Sequence, residues 1–110
     1  MNMSFMLTTE QIRDRTKTVT RRLGWKNLKK GTIINACEKC QGLKKGEKVK
    51  VLCKIRVTDV RKEALNKITD ADCIREGFPH MTASEFIQMF KINMKCGDMA
   101  IVSRIEFEYI

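Results

Sequence analysis

Thr16-Lys17-Thr18-Val19-Thr20-Arg21-Arg22-Leu23 places one lysine, three threonine hydroxyls and two arginines in a stretch that reads half as turn, half as strand. Cations and hydroxyls at this density suit a phosphate or a polarised carbonyl, because ionised donors make the strongest hydrogen bonds to such groups. Burying them without partners is costly. The segment is therefore either a ligand site or the wetted face of an edge strand, where Arg and Thr are common and basic side chains deter edge-to-edge pairing.

A carboxylate bears on the same segment. Thr69-Asp70-Ala71-Asp72 opens a short helix that runs through Cys73 and Ile74 to Glu76 and closes at Gly77. Glu76 then stands at a helix C-terminus, where the backbone already carries partial negative charge, and a cation must compensate it. Lys17, Arg21 and Arg22 are the candidates. Two aromatics also come into view: Trp25 and Phe78 suit stacking on a nucleobase as well as they suit a core.

Other reactive residues form no constellation. Cys37-Glu38-Lys39-Cys40 has the spacing of half a zinc site, but Cys53, Cys73, His80 and Cys96 stand singly, so the four ligands of structural zinc do not assemble. Neither a metal nor a cofactor is expected. His80 follows Pro79 in a loop and reads as exposed.

Five elements must position the polar segment. Thr8 and Gln11 have capping-box spacing, so a helix of about two turns is expected to run to Arg13 or Arg15, with a Val19-centred strand after it. Between Gly24 and Gly46 a long lysine-rich loop is interrupted by a short strand at Thr32-Ile33-Ile34. Val49, Val51, Cys53, Ile55 and Val57 alternate with polar residues as one strand, and Met99 to Tyr109 as another, with Ala100, Val102, Arg104, Glu106 and Glu108 on its open face. Thr82-Ala83-Ser84-Glu85 is a second capping box, and Phe86, Met89 and Phe90 form a core stripe on the helix it starts.

The chain's 110 residues leave room for one core, with no linker composition to divide them, so residues 1–110 are read as a single domain. With 22 Lys+Arg against 13 Asp+Glu the net charge is +9, which attracts polyanions by counterion release. No apolar run approaches the roughly 20 residues of a membrane span. The start lacks the basic and apolar regions of a signal peptide, and five cysteines fit a reducing compartment. A cytoplasmic location without membrane attachment is expected. The sequence leaves the oligomeric state open.

Strands in the middle and at both ends, separated by short helices without a βαβ rhythm, point to an α+β fold: a small mixed β-barrel with two to three flanking helices. Lys17-Thr18-x-Thr20-x-Arg22, the turn at Gly31, Glu76-Gly77-Phe78, Ser84-Glu85-Phe86 and Gly97-Asp98 occur in the order found in ASCH domains, and the chain resembles that family of the PUA-like superfamily over nearly its whole length. The resemblance implies a PUA-like barrel with a cleft for RNA or a nucleoside. It also implies two departures: Arg15 stands where such members usually have Gly before the motif lysine, and Thr32 where Asp is frequent.

A subgroup of small ASCH members, which this chain resembles in length, hydrolyses N4-acetylcytidine. Matching its motif implies Lys17, Thr20 and Glu76 as the working residues, with the lysine as base, the hydroxyl as nucleophile and the carboxylate as proton shuttle. Two functions are expected on this basis. The first is an RNA- or nucleotide-binding module in which Thr18, Arg21, Arg22, Trp25 and Phe78 join Lys17 and Thr20 in holding the ligand. The alternative is an amidohydrolase of N-acylated cytidine, with a ribonuclease or a protein-interaction adaptor behind it.

Overall fold

Alternating apolar positions in the second half of the chain build the two strands around which everything else is arranged. The computed structural model describes residues 1–40 and 42–110. β1 (Asn2–Ser4) leads through a 3-10 turn into α1 (Thr9–Arg13), β2 (Val19–Arg22) and β3 (Ile33–Cys37). The long β4 (Val51–Ala64), α2 (Asp70–Arg75), α3 (Ala83–Met94) and β5 (Ile101–Tyr109) follow. Gln41, inside the expected lysine-rich loop, lies outside the described residues.

The five strands form one mixed sheet in the order β1-β3-β4-β5-β2. β1 lies parallel to β3 and the other neighbours are antiparallel. In place of the expected barrel the sheet is open: β1 and β2 are its edges and no backbone ladder joins them. A bulge between Val57 and Asp59 bends β4, the usual effect of an extra residue opposite β5. The two edges approach closely enough for the Arg22 side chain of β2 to donate to the Ser4 carbonyl of β1 at 2.6 Å.

β4 begins at Val51 rather than Val49 and continues seven residues past Val57 to Ala64. β5 departs further from expectation, because both of its faces are covered. Ile105 and Phe107 enter a core with Met3, Phe5, Ile12, Ile34 and Ile55. Val102, from the face expected to meet water, joins a second core with Leu65, Cys73, Phe86 and Phe90, and Arg104 beside it is 5% exposed. The helices α2 and α3 lie over that face, and a single-strand pattern cannot reveal a helix packed on its polar side.

The α1 capping box does not form: Thr8 makes no side-chain cap. Gln11 instead reaches across to the end of α2, its Nε2 donating to the Gly77 carbonyl at 3.1 Å. Arg15 takes the left-handed backbone itself (φ 63°), with its guanidinium 5.5 Å from the centre of the Tyr109 ring. The α3 capping box forms as expected, with Thr82 and Glu85 each satisfying the other's backbone N–H.

Gly77 is required by both its conformation and its neighbours. Its φ is +98°, and an added Cβ meets Gln11 Cγ at 2.8 Å and Cβ at 3.0 Å. Gly77→Ala is expected to lower stability by about 1–3 kcal/mol, the usual scale for a strained non-glycine backbone. A denaturation midpoint unchanged from the parent protein contradicts this.

Candidate functional site

The site is built on the C-terminus of α2. Thr69 caps the start of this helix by accepting from the Asp72 N–H. At the far end, Gly77 N–H donates to the Ile74 carbonyl at 3.0 Å and Phe78 N–H to the Cys73 carbonyl at 2.9 Å, the paired bonds of a Schellman ending. The next three carbonyls are free for other donors. All three are taken by α1 and the chain that follows it to β2: Arg75 by Thr18 N–H at 2.8 Å, Glu76 by Lys17 Nζ at 2.7 Å, and Gly77 by the Gln11 side chain of α1.

Lys17 is the cation that the placement of Glu76 demands. Besides the carbonyl, its ammonium holds Glu76 Oε1 at 2.9 Å, and both side chains are 3% exposed. Burial lowers the lysine's pKa from its ordinary value, and the attraction of Glu76 only partly opposes the shift. The second Glu76 oxygen, Oε2, accepts from Arg21 at 3.1 Å.

Behind Glu76 lies a charge cluster that sequence reasoning missed. Arg21 and Arg104 face each other across the β2–β5 ladder, an arrangement that repels unless something intervenes. Asp72 intervenes. Its Oδ2 accepts from Arg21 at 2.5 Å and from Arg104 at 2.8 Å, while Oδ1 accepts from Arg104 at 3.0 Å and Arg75 at 2.8 Å. Glu63 of β4 adds a further acceptor for Arg21 at 2.5 Å. Hydrogen bonds from Arg104, and then from Arg21 and Arg75, hold the Asp72 carboxyl far below the usual range despite its burial.

Thr20, Arg21 and Arg22 follow on β2. The Thr20 hydroxyl oxygen accepts from Arg22 Nε at 3.1 Å. The Arg22 guanidinium lies 4.7 Å from the centre of the Phe5 ring, and burial lowers its pKa to about 10. Lys17, Thr20, Arg21, Arg22 and Glu76 together form the polar side of a cavity of about 250 Å³. Phe78, Phe86, Met89 and Phe90 line its apolar side, so the stripe read as core on α3 is also a cavity wall.

The structure thus brings Lys17, Thr20, Arg21, Arg22, Glu76 and Phe78 to one cavity and leaves two candidates outside. Thr18 is committed through its backbone to Arg75 and Phe107. Trp25 packs against the core that contains Met3 and Ile34 and does not line the cavity. Among residues not singled out from sequence, Phe5, Met6 and Leu7 line the cavity from the β1–α1 turn, and Asp72, Arg104 and Glu63 brace its floor. Only the pairing of Arg21 with Arg104 offered a signal for this cluster, and it becomes visible once the strand register is known.

Replacing Asp72 leaves Arg104 and Arg21 buried with less compensation. Asp72→Asn is expected to lower stability by about 3–5 kcal/mol at neutral pH, the scale for breaking one side of a buried ion pair. Because the folded carboxyl titrates below its ordinary 3.8, its contribution is complete above that pH and is lost as pH falls through the folded value. The gap between parent and variant should therefore hold from pH 7 down to about pH 4 and narrow as the pH falls below 3.8 in denaturant titrations. A constant gap contradicts the assignment.

No protein-family model and no curated protein matches this chain. Solved structures do match it. The ASCH domain from Lactobacillus crispatus JV V101 superposes with a TM-score of 0.72 at 13% identity, over 94% of this chain and 70% of that one. Protein EF3133 from Enterococcus faecalis V583, assigned to DUF984, superposes with a TM-score of 0.63 at 16% identity over the same shares. At such identities the likeness is one of architecture, and on that ground this chain has an ASCH-like fold.

Proposed function

We propose that this protein is an amidohydrolase that removes the acyl group from an N-acylated pyrimidine nucleoside of the N4-acetylcytidine type. The observation that carries the proposal is that Lys17, Thr20 and Glu76, all three buried, line one cavity. Its volume of about 250 Å³ lies just under the roughly 300–1,000 Å³ of drug-sized ligand sites, the scale of one base with its acyl group. The aromatic side suits the faces of a base, and the polar side suits its amide edge.

The chemistry follows from how the bonds are occupied. Neutral Lys17 retains two N–H donors for the Glu76 carbonyl and Oε1, leaving its lone pair for a third direction. Thr20 already accepts from Arg22, so its own hydroxyl hydrogen is free for a base. In the first step the Thr20 oxygen bonds to the acyl carbon, its proton passes to Lys17, and the carbonyl electron pair moves onto oxygen. As the intermediate collapses, the carbon–nitrogen bond breaks and the Lys17 ammonium returns the proton to the leaving amine. Water then releases the acyl group as a carboxylate by the same sequence.

Glu76 has a different part here from the proton shuttle first expected. Both its oxygens are held by Lys17 and Arg21, so it orients the lysine and balances its charge. The same engagement weighs against phosphate binding by the motif: Lys17 and Arg21 are neutralised from within. RNA binding rests instead on the outer surface, where Lys26, Lys29, Lys30, Lys44, Lys45, Lys48 and Lys54 are all exposed. Salt-sensitive retention of single-stranded RNA that survives Lys17→Ala is the expected mark of that second reading.

Incubation with N4-acetylcytidine is expected to yield cytidine and acetate. Thr20→Ser should retain turnover, whereas Thr20→Ala and Lys17→Ala should each lose about 10²–10⁴-fold, the usual contribution of a positioned base and its nucleophile. Since only the neutral lysine accepts the proton, kcat/KM should rise with pH and level off below the ordinary lysine value of 10.5. Absence of cytidine at stoichiometric enzyme overturns the proposal.

A further inference from the structure

Three cations line the cavity, and two of them are spoken for. Lys17 is paired with Glu76, and Arg21 with Glu76, Asp72 and Glu63. Arg22 makes no ion pair among the described residues. Its Nε donates to the Thr20 hydroxyl oxygen, its Nη2 donates to the Ser4 carbonyl, and its plane rests beside the Phe5 ring. Nη1 has no protein partner among the described residues. Its side chain is part-buried and has no carboxylate within ion-pair distance among the described residues, whereas charges drawn out of water are ordinarily paired. Burial lowers its pKa to about 10, and the attraction of Glu76 only partly opposes the shift.

Where the missing negative charge belongs is set by the first of those bonds. The guanidinium lies 3.1 Å from the Thr20 oxygen, so the group it can serve sits next to the atom bonded to that oxygen. The phosphate of a nucleotide whose base is being attacked lies farther away. The oxygen of the acyl group lies there in the intermediate, and an oxygen of the carboxylate product lies there afterwards.

We propose that Arg22 forms an oxyanion site beside Thr20, binding the negatively charged oxygen of the tetrahedral intermediate and, after hydrolysis, the carboxylate product. This rests on the amidohydrolase reading and extends it with a catalytic residue and a second ligand class, short-chain carboxylates. In the acylation step the carbonyl π pair becomes the oxygen charge that Arg22 receives, and collapse returns that pair as the carbon–nitrogen bond breaks. The guanidinium keeps its protons throughout. Its preorganisation comes from the edges of the open sheet: Ser4 on β1 and Thr20 on β2 fix the guanidinium plane beside the Thr20 oxygen before charge develops.

Two measurements on the full chain test this. With N4-acetylcytidine, Arg22→Gln is expected to lower kcat by about 10²–10³-fold with KM changed little, as for removal of one oxyanion donor. With sodium acetate as the probe, the thermal midpoint of the parent protein should rise saturably. Acetamide, neutral and of the same shape, and sodium chloride at equal ionic strength should not reproduce the rise, and Arg22→Gln should abolish it. Arg22→Lys keeps the charge and should retain the acetate response; it decides the matter if Arg22→Gln does not fold. A kcat for Arg22→Gln close to the parent's, or an acetate response that persists without Arg22, overturns the site. If acylcytidine is untouched while acetate binds through Arg22, the proposed reaction fails and the anion site stands. Hydrolysis that proceeds undiminished without Arg22 removes the site and leaves the reaction standing.

Discussion

The ammonium of Lys17 at the C-terminus of α2 is the interaction on which the site depends. It meets a backbone carbonyl and a carboxylate of the same residue, so a single charge answers both the partial negative charge of the helix end and the full one of Glu76. A lone buried ammonium in this position costs several kcal/mol, and only a close acceptor set offsets it. Neighbouring bonds reinforce the arrangement: the Thr18 N–H and the Gln11 side chain take the carbonyls on either side, and the Tyr109 hydroxyl donates to the Lys17 carbonyl at 2.6 Å. The segment between α1 and β2 is thereby stitched to α2 and to the last strand, and Thr20 is delivered to the cavity with no freedom to drift.

The need for such a cation is readable from the chain without the fold. Gly77 stops a short helix just after Glu76, and a carboxylate at a helix end needs positive charge nearby. The Thr82 cap, the Val19 strand and the alternation of Ile55 with Val57 are legible for the same reason, since each is a local signal that tertiary contacts happen to respect. What is illegible depends on a third element. Gln11 looks like the partner of Thr8 because the spacing fits a capping box, yet it serves Gly77, sixty-six residues away. Arg104 looks solvated because it alternates with Ile105, yet α2 covers it and Asp72 makes burial tolerable. The open sheet escapes a sequence reading likewise, because closure depends on whether β1 and β2 pair, and neither edge strand announces its partner.

The charge cluster behind the cavity explains why a basic motif coexists with a folded core. Arg21 points inward from an edge strand, which is tolerable only because Glu76, Asp72 and Glu63 converge on its two terminal nitrogens. Its Nε remains buried without a partner, a residual strain in an otherwise satisfied network. Asp72 links this arginine to Arg104, so the floor under Glu76 is anchored in β5 as well as in α2. Rigidity of this kind suits a positioning carboxylate, because a group held by two cations keeps one orientation.

Within the motif, therefore, neighbouring residues part ways according to whether their charge is answered internally. Lys17 and Arg21 are answered and form structure, with Lys17 keeping one direction free for a proton. Arg22 has no carboxylate partner among the described residues and bonds only to the Thr20 hydroxyl and the Ser4 carbonyl. Had the cluster been a grip for polyanions, all three cations would face a wide basic surface and few carboxylates would approach them. Instead the guanidinium without a carboxylate partner lines a small cavity with an aromatic wall, next to a hydroxyl. On the proposed reading, the small cavity and the guanidinium without a carboxylate partner favour the same chemistry, acyl transfer to a small molecule.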